Sequence, residues 1–202
     1  MELTPQHIDA LQEVINIGVG WAAGIFNDMI DCHIQLQIPT INILSPQEAS
    51  EEIELHLHSQ KVSSVCLNFT GSLNGNAQLI FPVDSASKLL SVLTHEPEGS
   101  PDLDAVKIGT LTEVGNILIN GVIGSISNLM EQHFDYSLPI YFEGKCEELL
   151  NSNGTKNKST ILLAQTSFVI EKLYVEGGFI LIFNLGSFEQ LIKALDEELG
   201  IA

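Results

Sequence analysis

Asp9-Ala-Leu-Gln-Glu13-Val-Ile-Asn16 opens a stretch that closes at Pro39, and Gly109-Thr-Leu-Thr-Glu113-Val-Gly-Asn116 opens a second that closes at Pro139. In each copy three residues separate the first position from the Glu, two separate Glu from Asn, and twenty-two separate Asn from Pro. Two Glu/Asn/Pro sets at one internal spacing, a hundred residues apart, imply a duplicated unit.

Both copies carry the helical period. Ile8, Leu11, Ile15, Gly18, Ala22, Ile25, Phe26 and Met29 recur at three- and four-residue steps, as do Ile108, Leu111, Gly115, Leu118, Val122, Ile126 and Leu129. One apolar face of each helix is thereby turned to a core. Asp9, Glu13, Asn16 and Gly20 fall at i, i+4, i+7 and i+11 and form a narrow stripe on the opposite face; Glu113, Asn116 and Asn120 form its counterpart. Gly18, Gly20 and Gly24 each cost a helix about 1 kcal/mol relative to Ala. Gly18 lies on the apolar face, which predicts close packing; Gly20 lies on the stripe, which predicts room for an approaching molecule.

The periodicity outward from these stretches predicts a first helix from Thr4-Pro5 to about Asp31, with Thr4 as cap and Pro5 in the first turn. A strand over His33 to Leu44, kinked or begun at Pro39, follows, and Ser45 to Glu54 reads as a polar loop or short helical turn. Val62–Phe69 and Ala77–Val83 read as a hairpin, Asp84–Leu93 as a short helix and His95–Pro101 as the linker between halves. The second half repeats the order: a helix over Asp102–Gln132, a strand over Leu138–Glu143, a polar turn over Asn151–Lys158, a hairpin of Thr160–Ile170 with Leu173–Asn184, and a helix over Ser187–Leu199. Leu79-Ile80-Phe81 matches Leu181-Ile182-Phe183 at an offset of 102. The expected fold class is α/β (α+β): pseudo-two-fold helix–strands–helix units, two long helices packed on one face of a strand layer. The halves, about 1–97 and 98–202, are expected to share one core as a single domain.

Composition narrows the chemistry. The chain has 202 residues, eight Lys and Arg, and a formal charge of −18. So few cations argue against a phosphate-backbone partner, and the same charge is repelled by anionic membranes. It suits a protein partner with a basic rim. No apolar run reaches membrane-spanning length and the first residues lack a secretory signal's character. Cys32, Cys66 and Cys146 have no disulfide or zinc rhythm, which fits free thiols in a cytoplasm. Phosphate-binding glycine loops, a dinucleotide fingerprint and a nucleophile elbow are all missing from the sequence. His56-Leu-His58 is read as a polar pair on one strand face rather than a metal site.

A lone Glu and Asn on an exposed helix face are ordinary solvated residues; the repetition is what makes them informative. The stripe has no nucleophile and no metal-ligand set. An amide donates to a phosphoryl oxygen and accepts from water, and a carboxylate pairs with a partner's Lys. That combination suits phosphoryl hydrolysis in trans, where the substrate protein brings the phosphoryl group and its metal ion.

The doubled pattern [Asp/Ser]-x3-Glu-x2-Asn-x22-Pro resembles the CheC/CheX/FliY family of chemotaxis phosphatases, and the 202-residue span with two motif copies is most similar to the CheC-like members. The resemblance implies removal of the phosphoryl group from the aspartyl phosphate of a CheY-type response regulator in the cytoplasm. Glu13 and Glu113 would bond the regulator's Lys, and Asn16 and Asn116 would orient the hydrolytic water. Asp9, Pro39 and Pro139 would support the motif; the two prolines shape the fold rather than touch substrate. No cofactor of its own is implied, Mg2+ being expected on the regulator. It also implies a contact with the receptor deamidase CheD through the second half's last helix. Gly109 stands where the pattern has Asp or Ser, and Trp21 where relatives carry Asn, so the first site is complete and the second lacks one side chain. A non-catalytic module that binds the regulator or CheD is the alternative. A flagellar switch component is weaker, for want of an added assembly domain.

Overall fold

The structure, a computed structural model, describes residues 4–71, 73–95, 103–129, 131, 133–152, 161–184, 192, 193, 195–197 and 200. The chain runs α1 (Pro5–Ile30), β1 (Gln35–Leu36), β2 (Thr40–Leu44), α2 (Pro46–Leu57), β3 (Lys61–Thr70), β4 (Gly75–Pro82), α3 (Val83–Thr94), α4 (Leu103–Leu129), β5 (Asp135–Tyr136), β6 (Ile140–Lys145), α5 (Cys146–Ser152), β7 (Ile161–Ile170) and β8 (Val175–Asn184). A 3-10 turn, Glu171–Leu173, joins the last two strands. The expected linker beyond His95, most of the polar turn at Asn151 and most of the helix at Ser187–Leu199 lie outside the described residues.

The first helix starts as its sequence directs. Thr4 Oγ1 accepts from the His7 backbone N–H and the Thr4 N–H donates to His7 Nδ1, both at 3.3 Å, a reciprocal cap with His7 in the usual Glu place. His7 Nε2 lies 2.8 Å from Asp196 Oδ1, which ties this end of the helix to the chain's last segment. Asp31 ends the helix in the left-handed conformation.

Among the described residues, eight strands form one antiparallel sheet in the order β1-β7-β8-β4-β3-β5, with β2 also on β7 and β6 also on β3. The short strands after each long helix therefore cross to the other half: β1 and β2 pair with β7, while β5 and β6 pair with β3. At the centre, β4 meets β8, and Gln78 pairs with Ile180, its own counterpart at the 102-residue offset. Asn76↔Ile182 and Ile80↔Gly178 flank that pair and exchange under the same shift. The pseudo-two-fold axis passes through the Gln78/Ile180 pair.

The two long helices pack together on one face of the sheet, as expected. Leu11, Ile15, Ala22 and Phe26 of α1 and Leu111, Leu118, Val122 and Ile126 of α4 share a core with Leu67, Leu79, Leu162 and Leu181. Their approach is close at Gly18, where a Cβ would stand 3.0 Å from Val122 Cα and 3.1 Å from Ser125 Cβ.

The opposite face departs from expectation. Of the two readings open for Ser45–Glu54, loop or short helical turn, the chain takes the helical one and extends it into the twelve-residue helix α2. Ser45 Oγ accepts from the Glu48 N–H at 3.3 Å, the Ser45 N–H donates to Glu48 Oε2 at 2.8 Å, and Pro46 follows the cap. Ala49, Ile53 and Leu57 fall at i, i+4 and i+8 and are buried. With Cys146, Leu149 and Leu150 of α5 they cover Val62, Ile80, Ile161, Leu163, Ile180 and Ile182, so the sheet lies between two helical layers. His56 and His58 belong to this helix and its cap, not to a strand; His56 Nε2 is hydrogen-bonded to Ser167 Oγ. The three cysteines are free thiols, and burial pushes Cys66 to about 12.

Candidate active site

Asp9, Glu13, Asn16 and Gly20 are all exposed along α1, on the side away from the buried Leu11, Ile15, Ala22 and Phe26. On α4, Gly109, Glu113 and Asn120 are exposed and Asn116 is half-buried. Each pair is a carboxylate and an amide three residues apart, close to one helical turn, on a rigid helix backed by core. Because α1 and α4 are related by the pseudo-axis and touch near Gly18 and Gly121, the two pairs stand on either side of that crossing.

The crossing itself is asymmetric. A Cβ on Gly121 would lie 2.4 Å from Trp21 Cε3, so the indole rests on a glycine at its own repeat position. Trp21 and Ile17 are 59% and 57% exposed, an apolar patch on the flank of the first pair. Gly20 is open: among the described residues nothing beyond its own helix backbone lies within 4 Å of a Cβ placed there. Its counterpart Asn120 is filled: Asn120 Nδ2 donates to Asn116 Oδ1 at 3.1 Å.

Of the two motif prolines, Pro39 is tied to the helix that carries the first stripe. Pro39 is buried, and its carbonyl accepts a 2.8 Å hydrogen bond from Gln12 Nε2, the side chain just before Glu13. Pro139 is half-buried. Thr112 holds the place of Gln12 on α4 and donates to the Ile108 carbonyl at 2.5 Å within its own helix. Gln12 is a residue that sequence reasoning passed over; its position, i+1 beside the buried Leu11, was the available signal. A second omission is the apolar residue before each proline: Ile38 is 79% exposed and Leu138 84%. Their alignment in the repeat could have found them.

One further polar group braces the second helix. Glu143 Oε2 accepts from Tyr141 Oη at 2.6 Å, from Lys107 Nζ at 2.9 Å and from Ser63 Oγ at 3.2 Å. The Tyr141 bond, then the Lys107 bond, hold its carboxyl below the ordinary value. This network fixes α4, through Lys107, to β6 and β3 two turns before Glu113. The segment expected to contact CheD lies mostly outside the described residues.

The fold is shared with solved structures of FliY and CheX, and the sequence is similar to CheC. FliY from Thermotoga maritima shares the fold with a TM-score of 0.75 over 98% of this chain and 99% of that one, at 17% identity. CheX in a CheX–CheY–BeF3–Mg2+ complex from Borrelia burgdorferi matches with a TM-score of 0.54 over 88% of this chain and 99% of that one, at 22% identity. In sequence the chain is similar to the CheY-P phosphatase CheC of Bacillus subtilis, 27% identical over 141 residues. That match covers 66% of this chain and 65% of the relative, so it spans a little under two thirds of the relative's length. No protein-family profile matches the chain. The chain is thus similar to CheC in sequence and to FliY and CheX in fold.

Proposed function

We propose that the chain is a phosphatase of chemotaxis signalling that hydrolyses the aspartyl phosphate of a CheY-type response regulator, acting in the cytoplasm as one domain of two repeats. The observation that carries this is the exposed Glu13/Asn16 pair, repeated as Glu113/Asn116, on a chain similar to CheC and folded like CheX.

The regulator supplies the phosphoryl group, its Mg2+ and an active-site Lys. Glu13 accepts from that Lys and fixes the regulator on α1. Asn16 then points its amide into the regulator's pocket, where the oxygen accepts from a water and the N–H steers toward a phosphoryl oxygen. Water attacks phosphorus in line. The bond from phosphorus to the regulator's carboxylate oxygen breaks, and inorganic phosphate and the free carboxylate leave, with the water's proton passing to phosphate and solvent. The chain's contribution is orientation, which a side chain on a core-backed helix delivers without reorganising.

The test is the decay of a phosphorylated CheY-type regulator with and without the protein. Acceleration by the wild type, lost in Asn16→Ala/Asn116→Ala with folding intact, supports the proposal. Binding without acceleration assigns the chain instead to the non-catalytic binding modules, and an unaffected double variant removes the asparagines from the chemistry.

A further inference from the structure

We propose that Ile38 and Leu138 are preformed apolar anchors, each seating in the regulator's surface beside the phosphorylated aspartate while the adjacent Glu/Asn pair enters the pocket; this rests on the phosphatase reading above. Ile38 is 79% exposed and Leu138 84%, yet neither belongs to a loose segment. On one side of Ile38, the Gln37 N–H donates to the Ser167 carbonyl at 2.9 Å and the Gln37 carbonyl accepts from Thr166 Oγ1 at 2.6 Å. On the other, the Pro39 carbonyl is held by Gln12 and Thr40 is paired with Gln165. Leu138 is held on both flanks by a different set of bonds. The Ser137 N–H donates to the Asn68 carbonyl at 2.9 Å, the Asn68 N–H donates to Ser137 Oγ at 3.0 Å, and Ile140 pairs with Cys66.

A backbone fixed on both flanks presents its apolar side chain to water at no later cost in ordering, which is what an interface anchor requires. A scattered surface aliphatic is ordinary. Here the same position is apolar and projecting in both repeats, each time one residue before the motif proline. The Gln12–Pro39 bond places Ile38 next to the helix turn that carries Glu13. A partner that brings a phosphoryl group to Asn16 therefore covers this position as well. That continuity names the occupant as the regulator rather than a second copy of the chain.

The experiment isolates one site. In an Asn116→Ala/Leu138→Ser parent, Ile38→Ser is compared with Ile38→Leu. Turnover of the phosphorylated regulator is followed, and calorimetric titration uses the regulator held in its active form by beryllofluoride and Mg2+. The expected result is a KM and a Kd about tenfold higher for Ile38→Ser, with kcat within about twofold and with Ile38→Leu close to the parent. Thermal unfolding of the variants should match the parent, since the side chain is outside the core. A change confined to kcat, or no change in either constant, overturns the anchor while leaving the phosphatase reading intact. A parent that neither binds nor turns over the regulator overturns both.

Discussion

Asn120 donates its side-chain amide to Oδ1 of Asn116 at 3.1 Å, whereas the same place beside Asn16 is Gly20, where among the described residues nothing beyond the helix's own backbone lies within 4 Å of a Cβ built there. Two sites built on one pattern are thus unequal in what their amides are free to do. Asn116 already spends acceptor capacity on its own helix; Asn16 faces open solvent. The missing carboxylate at Gly109 adds to the difference.

For turnover of a phosphorylated regulator, Asn16→Ala is expected to be the more damaging single change. Loss of one aligned transition-state hydrogen bond costs about 10²–10³ in rate at the site concerned. Asn116→Ala should remove a smaller share of the total. In an Asn16→Ala background, Asn120→Ala should raise the residual turnover by releasing Asn116 Oδ1. A fall instead would mean that Asn120 holds Asn116 in its working orientation. Initial rates for the four proteins at matched concentration decide it.

The three helix glycines should separate by their surroundings. Gly20→Ala and Gly24→Ala add a methyl to open space and gain about 1 kcal/mol in helix propensity, a Tm increase of a few degrees. Gly18→Ala pushes a methyl to 3.0 Å from the Val122 backbone, and the overpacking cost of about 1–3 kcal/mol exceeds the propensity gain. Gly20→Ala should slow turnover despite its higher Tm, because the methyl stands on the approach to Asn16. Thermal melts paired with rates on the same samples check each part.

Phe168 is the centre of the aromatic core. Its ring meets Phe26 at 5.9 Å and Phe81 at 5.6 Å, both edge-on, and Phe179 at 5.8 Å. Gly177 makes room for it, since a Cβ there would lie 2.6 Å from Phe168 Cζ and 2.7 Å from Phe81 Cδ1. Phe168→Ala should cost about 3–5 kcal/mol, read as a shifted midpoint in urea unfolding.

Glu143 makes stability depend on acid. Its folded-state pKa lies below the ordinary 4.5, through Tyr141 first and Lys107 second. A depressed carboxylate contributes stability above its unfolded value, and that contribution disappears as pH falls through the folded value. Glu143→Gln should lower Tm at pH 7, with the gap from wild type closing as pH drops below about 4.5. Because 43% of the Glu143 side chain is exposed, the gap should also narrow in high salt. Melts across pH 3–7 at two ionic strengths measure both effects.

Local pattern carried much of the molecule. The helical period of Leu11, Ile15, Ala22 and Phe26 and of Leu111, Leu118, Val122 and Ile126 placed both long helices and their buried faces. The Thr4-Pro5 cap, the Gly18 contact and the opening at Gly20 were equally legible, because each depends on residues within a turn or two or on the apolar period itself. The second helical layer was also written locally, in Ser45-Pro46-Gln47-Glu48 and the buried Ala49, Ile53 and Leu57; the polar content of that stretch masked a narrow apolar face. What the chain order did not disclose was the exchange of β1/β2 and β5/β6 between halves. Strand pairing joins residues such as Thr40 and Gln165, over a hundred positions apart, and two equivalent hairpins offer each edge strand the same backbone donors and acceptors. Alternation along Ile41 and Ile43 shows that a strand forms but not which hairpin it joins. The bond from Gln12 to Pro39 and the exposed, gripped Ile38 have the same origin. Both depend on where β7 holds β1 and β2 against α1, and only the folded chain brings those three segments together.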